Sequence, residues 1–271
     1  MARESAYLDN IYSVDGDEEM RRYYDDWAKS YDADLVDNDY RTPGRCAEAL
    51  ARHLGDKSAP LLDFACGTGI SGVALHEAGF AHIDGTDISQ GMLDVAREKK
   101  AYRDLWVCDP DNPFDNRAKG YAAIVAVGAI GAGAAPVTAL DGALAALDSG
   151  GLLVVSLNDH TLEDPAFEAR LRDAQKAGSI TILEDAHGPH LPAIGLGAKV
   201  YVVRRTRSVA SATYANGAPS STDGGALLRR EWHSDTARIA ELARSWTGEY
   251  GFIQCRNAAN RRSRLERLPG G

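Results

Sequence analysis

Leu61-Leu62-Asp63-Phe64, an apolar tetrad carrying one acid, runs directly into a glycine turn, Ala65-Cys66-Gly67-Thr68-Gly69. Leu61, Leu62 and Phe64 have the character of a short buried strand, and Gly67 and Gly69 allow a positive φ and a close ligand approach that a side chain would block. Gly67-Thr68-Gly69-Ile70-Ser71-Gly72 also matches the G-x-G-x-x-G fingerprint of dinucleotide sites, with Asp87 further on, where an acid would grip a ribose hydroxyl. The glycines alone leave both ligands open. A carboxylate at Asp63, beside the loop, would oppose the pyrophosphate of NAD but favour an ammonium group. S-adenosylmethionine carries that ammonium and a sulfonium, and the loop and the helix start behind it offer N–H donors to its carboxylate. Methyl transfer is therefore the leading reading. An NAD(P)-dependent oxidoreductase on the same fold, or a binding protein that keeps the pocket without turnover, are the alternatives.

The elements that would position these residues follow from periodicity. From Leu61 onward apolar strands alternate with amphipathic helices, which predicts a doubly wound, mostly parallel α/β sheet covered on both faces. Strands are predicted at 61–64, 82–86, 105–108, 122–127 and 152–157, with helices at 70–78, 89–100, 136–147 and 164–177. Ser89 is the expected N-cap of the second of these helices. Two last strands, 179–183 and 198–204, are predicted to pair as a hairpin across a loop at 186–197 that contains glycine and proline. Before the sheet, 18–31 reads as a helix with Met20, Tyr23, Tyr24, Trp27 and Tyr31 on one face, either packed on the core or lying over the cofactor cleft. Thr42-Pro43 starts another helix, with Cys46, Ala49, Leu50 and Leu54 as its buried stripe.

A chain of 271 residues with 44% hydrophobic and 25% charged content suits one good-sized domain with an appendage. Its net charge of -9 argues against general nucleic-acid binding. Without an apolar run long enough to span a bilayer, and with an acidic start, a cytoplasmic location is expected and no membrane partner. Cys46, Cys66, Cys108 and Cys255 are too scattered for a metal site or a disulfide framework and read as free thiols. Three segments are expected: helices in 1–55 capping the catalytic domain, a cofactor-binding domain over 56–207, and a peripheral or loosely ordered tail over 208–271. Beyond Thr206 there are ten arginines against six acids, and Trp232, Ile239, Leu242, Trp246 and Tyr250 could give the tail a modest helix.

Asp63-x-Ala65-x-Gly67-x-Gly69, Gly85-Thr86-Asp87-Ile88-Ser89 and Met92-Leu93-x-x-Ala96 together resemble the class I S-adenosylmethionine-dependent methyltransferases over about residues 20 to 205. Tyr24-Asp25-Asp26-Trp27-Ala28-x-x-Tyr31-Asp32, the 64–69 loop, Gly128-Ala129-Ile130-Gly131 and 156–160 are similar to the methyltransferase-like proteins of the Williams-Beuren region. The resemblance implies a seven-stranded sheet whose last strand inserts antiparallel. It also implies that Asp63 and the backbone of Ala65, Cys66, Gly67, Thr68 and Gly69 lie near the methionine moiety, Asp87 accepts from the ribose, and Ile88 and Met92 flank adenine. By the same resemblance Asp109 accepts from the adenine amino group, although Pro110 has no N–H to add, and Val127 ends the fourth strand below the transferred methyl. Tyr31 joins the cofactor-binding set.

Methyl transfer from a sulfonium needs alignment more than a dedicated base. For an oxygen acceptor, Asp159 or His160 after the fifth strand are candidate bases by position. His187 and His190 lack a carboxylate partner at metal-ligand spacing, so no metal is expected. The segment 128–136 lacks the Asn/Asp-Pro-Pro-Tyr arrangement that holds exocyclic or amide nitrogens in DNA and glutamine methyltransferases. A small-molecule acceptor is the main expectation, a protein side chain the other, and the oligomeric state is open.

Overall fold

The computed structural model describes residues 16–206 together with Tyr7, Asn10, Ile11 and Val14. Cys255 and the helix expected in the tail lie outside the described residues. The first helix, α1, spans Asp17–Asp37, with Asp17, Glu18 and Glu19 in its first turn complementing the helix dipole. It outlasts the predicted 18–31 because Leu35, one turn beyond Tyr31, keeps the buried face going. Trp27 Nε1 donates to Asp34 Oδ2 at 2.7 Å across the last turns. The chain then reverses at Asp39 in the left-handed region (φ 57°), which an aspartate tolerates. The second helix, α2, spans Thr42–His53 with Pro43 in its first turn.

Seven strands follow: β1 Leu61–Phe64, β2 Ile83–Asp87, β3 Asp104–Val107, β4 Ala123–Ala126, β5 Leu152–Asn158, β6 Ile180–Leu191 and β7 Leu196–Arg205. Between them run α3 Ile70–Glu77, α4 Gln90–Glu98, α5 Thr138–Ala146, α6 Asp159–Leu162 and α7 Pro165–Lys176. The sheet order is β3-β2-β1-β4-β5-β7-β6. Strands β1 to β5 are parallel, and β7 inserts antiparallel between β5 and β6. This is the seven-stranded, doubly wound α/β architecture that the alternation of elements predicted.

Successive residues of each inner strand point to opposite faces, and both faces are buried, so the strands read as unbroken apolar runs. Leu62, Phe64, Ile124, Leu153 and Val155 meet Leu140 of α5 and Leu171 of α7 on one face. Leu61, Ile83, Val125 and Val154 meet Cys46 and Leu50 of α2 and Leu75 of α3 on the other. The N-terminal helices thus divide their roles, because α2 is part of the layer that buries the sheet, whereas α1 lies against α4. Strand order reverses between β1 and β4, which leaves a crevice at their carboxyl ends where open α/β sheets take ligands.

The hairpin corrects the sequence reading. The segment expected to be a loop at 186–197 is mostly ladder, pairing Ala186 with Val200 and His187 with Lys199, and only 192–195 remain as the turn. Gly188 and Pro189 looked like strand breakers, but β6 is an edge strand, where proline costs no ladder bond on its solvent side. Arg45 of α2 supplies what periodicity cannot show. Its guanidinium donates to the carbonyls of Ala186 (2.8 Å), Pro189 (3.0 Å) and Ala198 (2.9 Å), tying both strands to the sheet-covering helix. Among the described residues no helix is long and apolar enough to cross a membrane, and Cys46, Cys66 and Cys108 are free thiols.

Replacing Arg45 by alanine strands three carbonyl acceptors at once. The expected outcome is a loss of about 1–3 kcal/mol in denaturant unfolding, with faster amide exchange at 186–198 and unchanged exchange in β1 and β4. Equal protection across the hairpin in both proteins would refute the role assigned to Arg45.

Candidate active site

Asp63, the penultimate residue of β1, lies on the face that α3 covers, fully buried. Its Oδ2 accepts from Ser71 Oγ at 2.6 Å and from Tyr102 OH at 2.7 Å, while Oδ1 is buried without a hydrogen-bond partner. Burial outweighs those two donors and, with the charge of Asp87 nearby, pushes the carboxyl up to about 7. The glycines explain how Tyr102 reaches it. A side chain begun at Gly72 would lie 2.2 Å from the Tyr102 ring, so this glycine makes room for a tyrosine rather than for a ligand. The Gly72 N–H donates to the same phenol at 3.0 Å.

The turn after β1 is held from the next strand. Asp87, 6% exposed at the end of β2, accepts from the Gly67 N–H through Oδ2 (2.8 Å) and from the Ser89 N–H through Oδ1 (2.9 Å). One carboxylate therefore bridges the loops after β1 and β2. Burial raises it to about 6 against the pull of the Ser89, Gly67 and Ile88 N–H groups. Gly67 sits at φ 54°, and a Cβ there would meet nothing within 4 Å, so the bare backbone faces open space.

Helix α1 is strapped onto both loops. Asp25 Oδ1 accepts from Ser89 Oγ at 2.5 Å and from the Gly91 N–H at 3.0 Å, and Ser89 in turn caps α4 by accepting from the Met92 N–H. Asp32 accepts from Thr68 Oγ1 at 2.5 Å and pairs with Lys99 at 2.6 Å, and Lys99 also donates to the Thr68 carbonyl. Tyr24 OH donates to the carbonyl of Gly133, in the connection after β4, at 3.2 Å. Between these pins the aromatic face packs on itself. Tyr24 lies parallel to Trp27 at 6.1 Å, and Tyr31 meets Trp27 edge-on at 4.6 Å. The same face lines the cleft, so packing and coverage are one arrangement.

Strap and sheet edge enclose a cavity of about 630 Å³. Tyr31, Ala65, Cys66, Gly67, Thr68, Asp87, Ile88, Met92 and Val127 all line it, gathered from α1 and from the ends of three strands. Asp63 and Gly69 are not in its wall, since Asp63 supports the loop from behind and Gly69 packs against Tyr102 and Ala96. Asp109 is exposed and accepts from the Asp111 N–H at 3.0 Å, while its neighbours Pro110, Asp111 and Asn112 line the cavity. Asp159 pairs with His187 at 2.7 Å and accepts from the Gly197 N–H, buttressing the hairpin. His160 is exposed and lies 3.6 Å from Glu163. Neither of the two candidate bases lines the cavity. No group of three or more metal-ligating side chains occurs among the described residues.

Tyr40, which periodicity did not single out, does line the cavity. It sits in the turn between α1 and α2, held by its ring contact with His190 at 5.2 Å and by the Arg41 N–H, which donates to the His190 carbonyl. His190 is buried, which lowers it to about 4 and keeps it neutral, and its Nδ1 lies 2.7 Å from Thr42 Oγ1. The signal was present in Tyr40-Arg41-Thr42-Pro43, but a lone aromatic before a helix start has no pattern to mark it.

Sheet order, a glycine turn after β1 and an acid ending β2 define the class I methyltransferase architecture. Residues 61–151 match the family described as a methyltransferase domain. Methyltransferase-like protein 27 of Homo sapiens is 34% identical over 162 residues, 58% of this chain and 66% of that protein. A probable 18S rRNA (guanine-N(7))-methyltransferase of Dictyostelium discoideum is 35% identical over 111 residues, 40% of this chain and 38% of that one. The chain thus spans just under two thirds of one curated relative and well under half of the other. Among solved structures, a ribosomal protein L11 methylase from Lactobacillus delbrueckii subsp. bulgaricus has a TM-score of 0.44 at 18% identity, covering 60% of this chain and 78% of that chain.

A carboxyl raised on folding stabilises the fold while it is protonated in both states, below about pH 4, and that contribution is lost as pH rises through about 7. Asp63→Asn keeps an acceptor for Ser71 and Tyr102 but cannot ionise. The variant should therefore gain stability relative to the parent as pH is raised from about 5 to about 8, read as the difference in melting temperature. A difference independent of pH would show that Asp63 is already ionised in the folded protein.

Proposed function

We propose that the protein is an S-adenosylmethionine-dependent methyltransferase acting on a small molecule. The observation that carries this is Asp87, a buried carboxylate on the cavity wall whose two oxygens already organise the loops after β1 and β2. Each oxygen keeps a lone pair for a ribose hydroxyl. Ile88 and Met92 offer apolar surface to a flat base, and the open backbone at Gly67 admits the chain that follows the ribose. The partnerless Oδ1 of Asp63 lies behind the same loop and adds negative potential that suits a cationic ligand. The residues thus fit the cofactor. When bound, it supplies a methyl group already activated on a sulfonium.

The protein's part is to exclude water and to align the acceptor. In this reading α1 is the cap, since Asp25, Asp32 and Tyr24 hold it over the three loops. A cavity of about 630 Å³ lies within the ordinary range of small-molecule sites. The Dictyostelium relative named for ribosomal RNA makes a nucleic acid the second reading. The net charge of -9 and the acids on the cavity wall favour a small molecule instead.

Calorimetric titration with S-adenosylhomocysteine tests the proposal, with NAD as the competing ligand. Asp87→Ala should weaken the adenosyl ligand by about 1–3 kcal/mol, with the sheet intact by circular dichroism. Because Asp87 titrates near 6 and accepts best when ionised, affinity should rise from about pH 5 to about pH 8. Binding of NAD alone, or an affinity blind to Asp87, would reject this cofactor site.

A further inference from the structure

Resting on that reading, the part of the cavity wall that the cofactor residues do not account for limits the acceptor. It carries the rings of Tyr24 and Tyr40, and the Tyr31 ring of the cofactor-binding set lines the same cavity. The Tyr40 hydroxyl lies 3.0 Å from where a side chain on Gly128 would begin, at the carboxyl end of β4. Neither the Tyr31 nor the Tyr40 hydroxyl is hydrogen-bonded to another described residue. Charge on the wall is lopsided, with Asp17, Asp87 and Asp111 against Lys119.

Five acceptor chemistries meet this wall differently. An alcohol, phenol or thiol must lose a proton, and no histidine lines the cavity among the described residues. Asp87, the wall acid raised toward neutrality, already accepts from two backbone N–H groups. Burial drives both phenols far from ionising, so they serve as hydrogen-bond groups and not as bases. A carboxylate would be repelled by the acids. An uncharged nitrogen needs no prior proton removal, and its product is a cation that aromatic faces and carboxylates attract.

We infer that the acceptor atom is an uncharged nitrogen, received by the rings of Tyr24 and Tyr40 and by the acidic wall. The nitrogen lone pair forms the new N–CH₃ bond as the S–CH₃ bond breaks and its electron pair passes to sulfur. The nitrogen takes up the positive charge, and a proton, where the nitrogen carries one, leaves afterwards to solvent.

The test uses the full chain saturated with S-adenosylhomocysteine and three probes of one shape: N-methylbenzylammonium, benzyl alcohol and benzoate. The ammonium should bind about tenfold more tightly than either of the others. Tyr40→Leu should remove most of that preference, with S-adenosylhomocysteine affinity unchanged within about twofold, while Tyr40→Phe, which keeps the ring, should retain it. Tyr24→Leu reads the same surface if Tyr40→Leu does not fold. Benzoate or the alcohol binding as well as the ammonium, an ammonium that does not bind, or a preference indifferent to both leucine variants overturns the inference. Failure of S-adenosylhomocysteine itself to bind would instead defeat the underlying cofactor reading.

Discussion

Two buried carboxylates at adjacent strand ends, Asp63 and Asp87, hold the carboxyl edge of the sheet in its working shape. Neither is compensated by a basic side chain. Asp63 is held by two hydroxyls and Asp87 by backbone N–H groups. Each raises the cost of ionising in a dry setting, and the charge of Asp87 adds to the burden on Asp63. Buried acids with this history favour whichever ligand brings positive charge, because a cation offsets a desolvation cost that the empty protein must bear. The glycine turn, the strap of α1 and the capping of α4 by Ser89 all converge on these two groups.

This constraint explains why the loop has its particular sequence. Gly67 must be glycine for its positive φ and for its open face, but Gly72 answers to Tyr102, whose hydroxyl reaches Asp63. The pattern G-x-G-x-x-G thus has two physical origins in one segment, only one of which concerns a ligand. That is why the fingerprint could not separate a dinucleotide from an adenosyl sulfonium. Asp63 distinguishes the two ligands by charge, yet it stands behind the loop, so it acts through the field it projects and not through contact.

Fold was largely legible because parallel strands buried on both faces announce themselves as apolar runs, and Leu61 to Phe64 or Leu152 to Leu157 could hardly be anything else. The hairpin was not, since Gly188 and Pro189 carry turn chemistry in a strand whose edge position and Arg45 anchor are properties of the assembled sheet. The site divided along the same line. Residues next to the glycine turn or at the end of β2 were readable from local sequence, and Ile88, Met92 and Val127 do meet at one cavity. Asp159 and His160 follow a strand end, as a catalytic pair might be expected to, but the long hairpin captures Asp159 through His187 and Gly197. Tyr40 was invisible because it reaches the cavity from a turn.

The strap makes the cavity's electrostatics a property of the N-terminal helix as much as of the sheet. Of its acids, Asp25 and Asp32 are spent on Ser89, Gly91, Thr68 and Lys99, whereas Asp17 remains on the cavity wall. The acids that fasten α1 are therefore different from the acid that meets a ligand, whereas Tyr24 both fastens the helix through its hydroxyl and lines the cavity. A helix fixed mainly by acids to the donors of two loops can carry an aromatic face over the crevice, with the Tyr24 hydroxyl as that face's one described pin. Such a division leaves the Tyr31 hydroxyl free for whatever enters beneath it. The cavity wall is thus completed by rings and by the Asp17 carboxylate that the sheet alone does not provide.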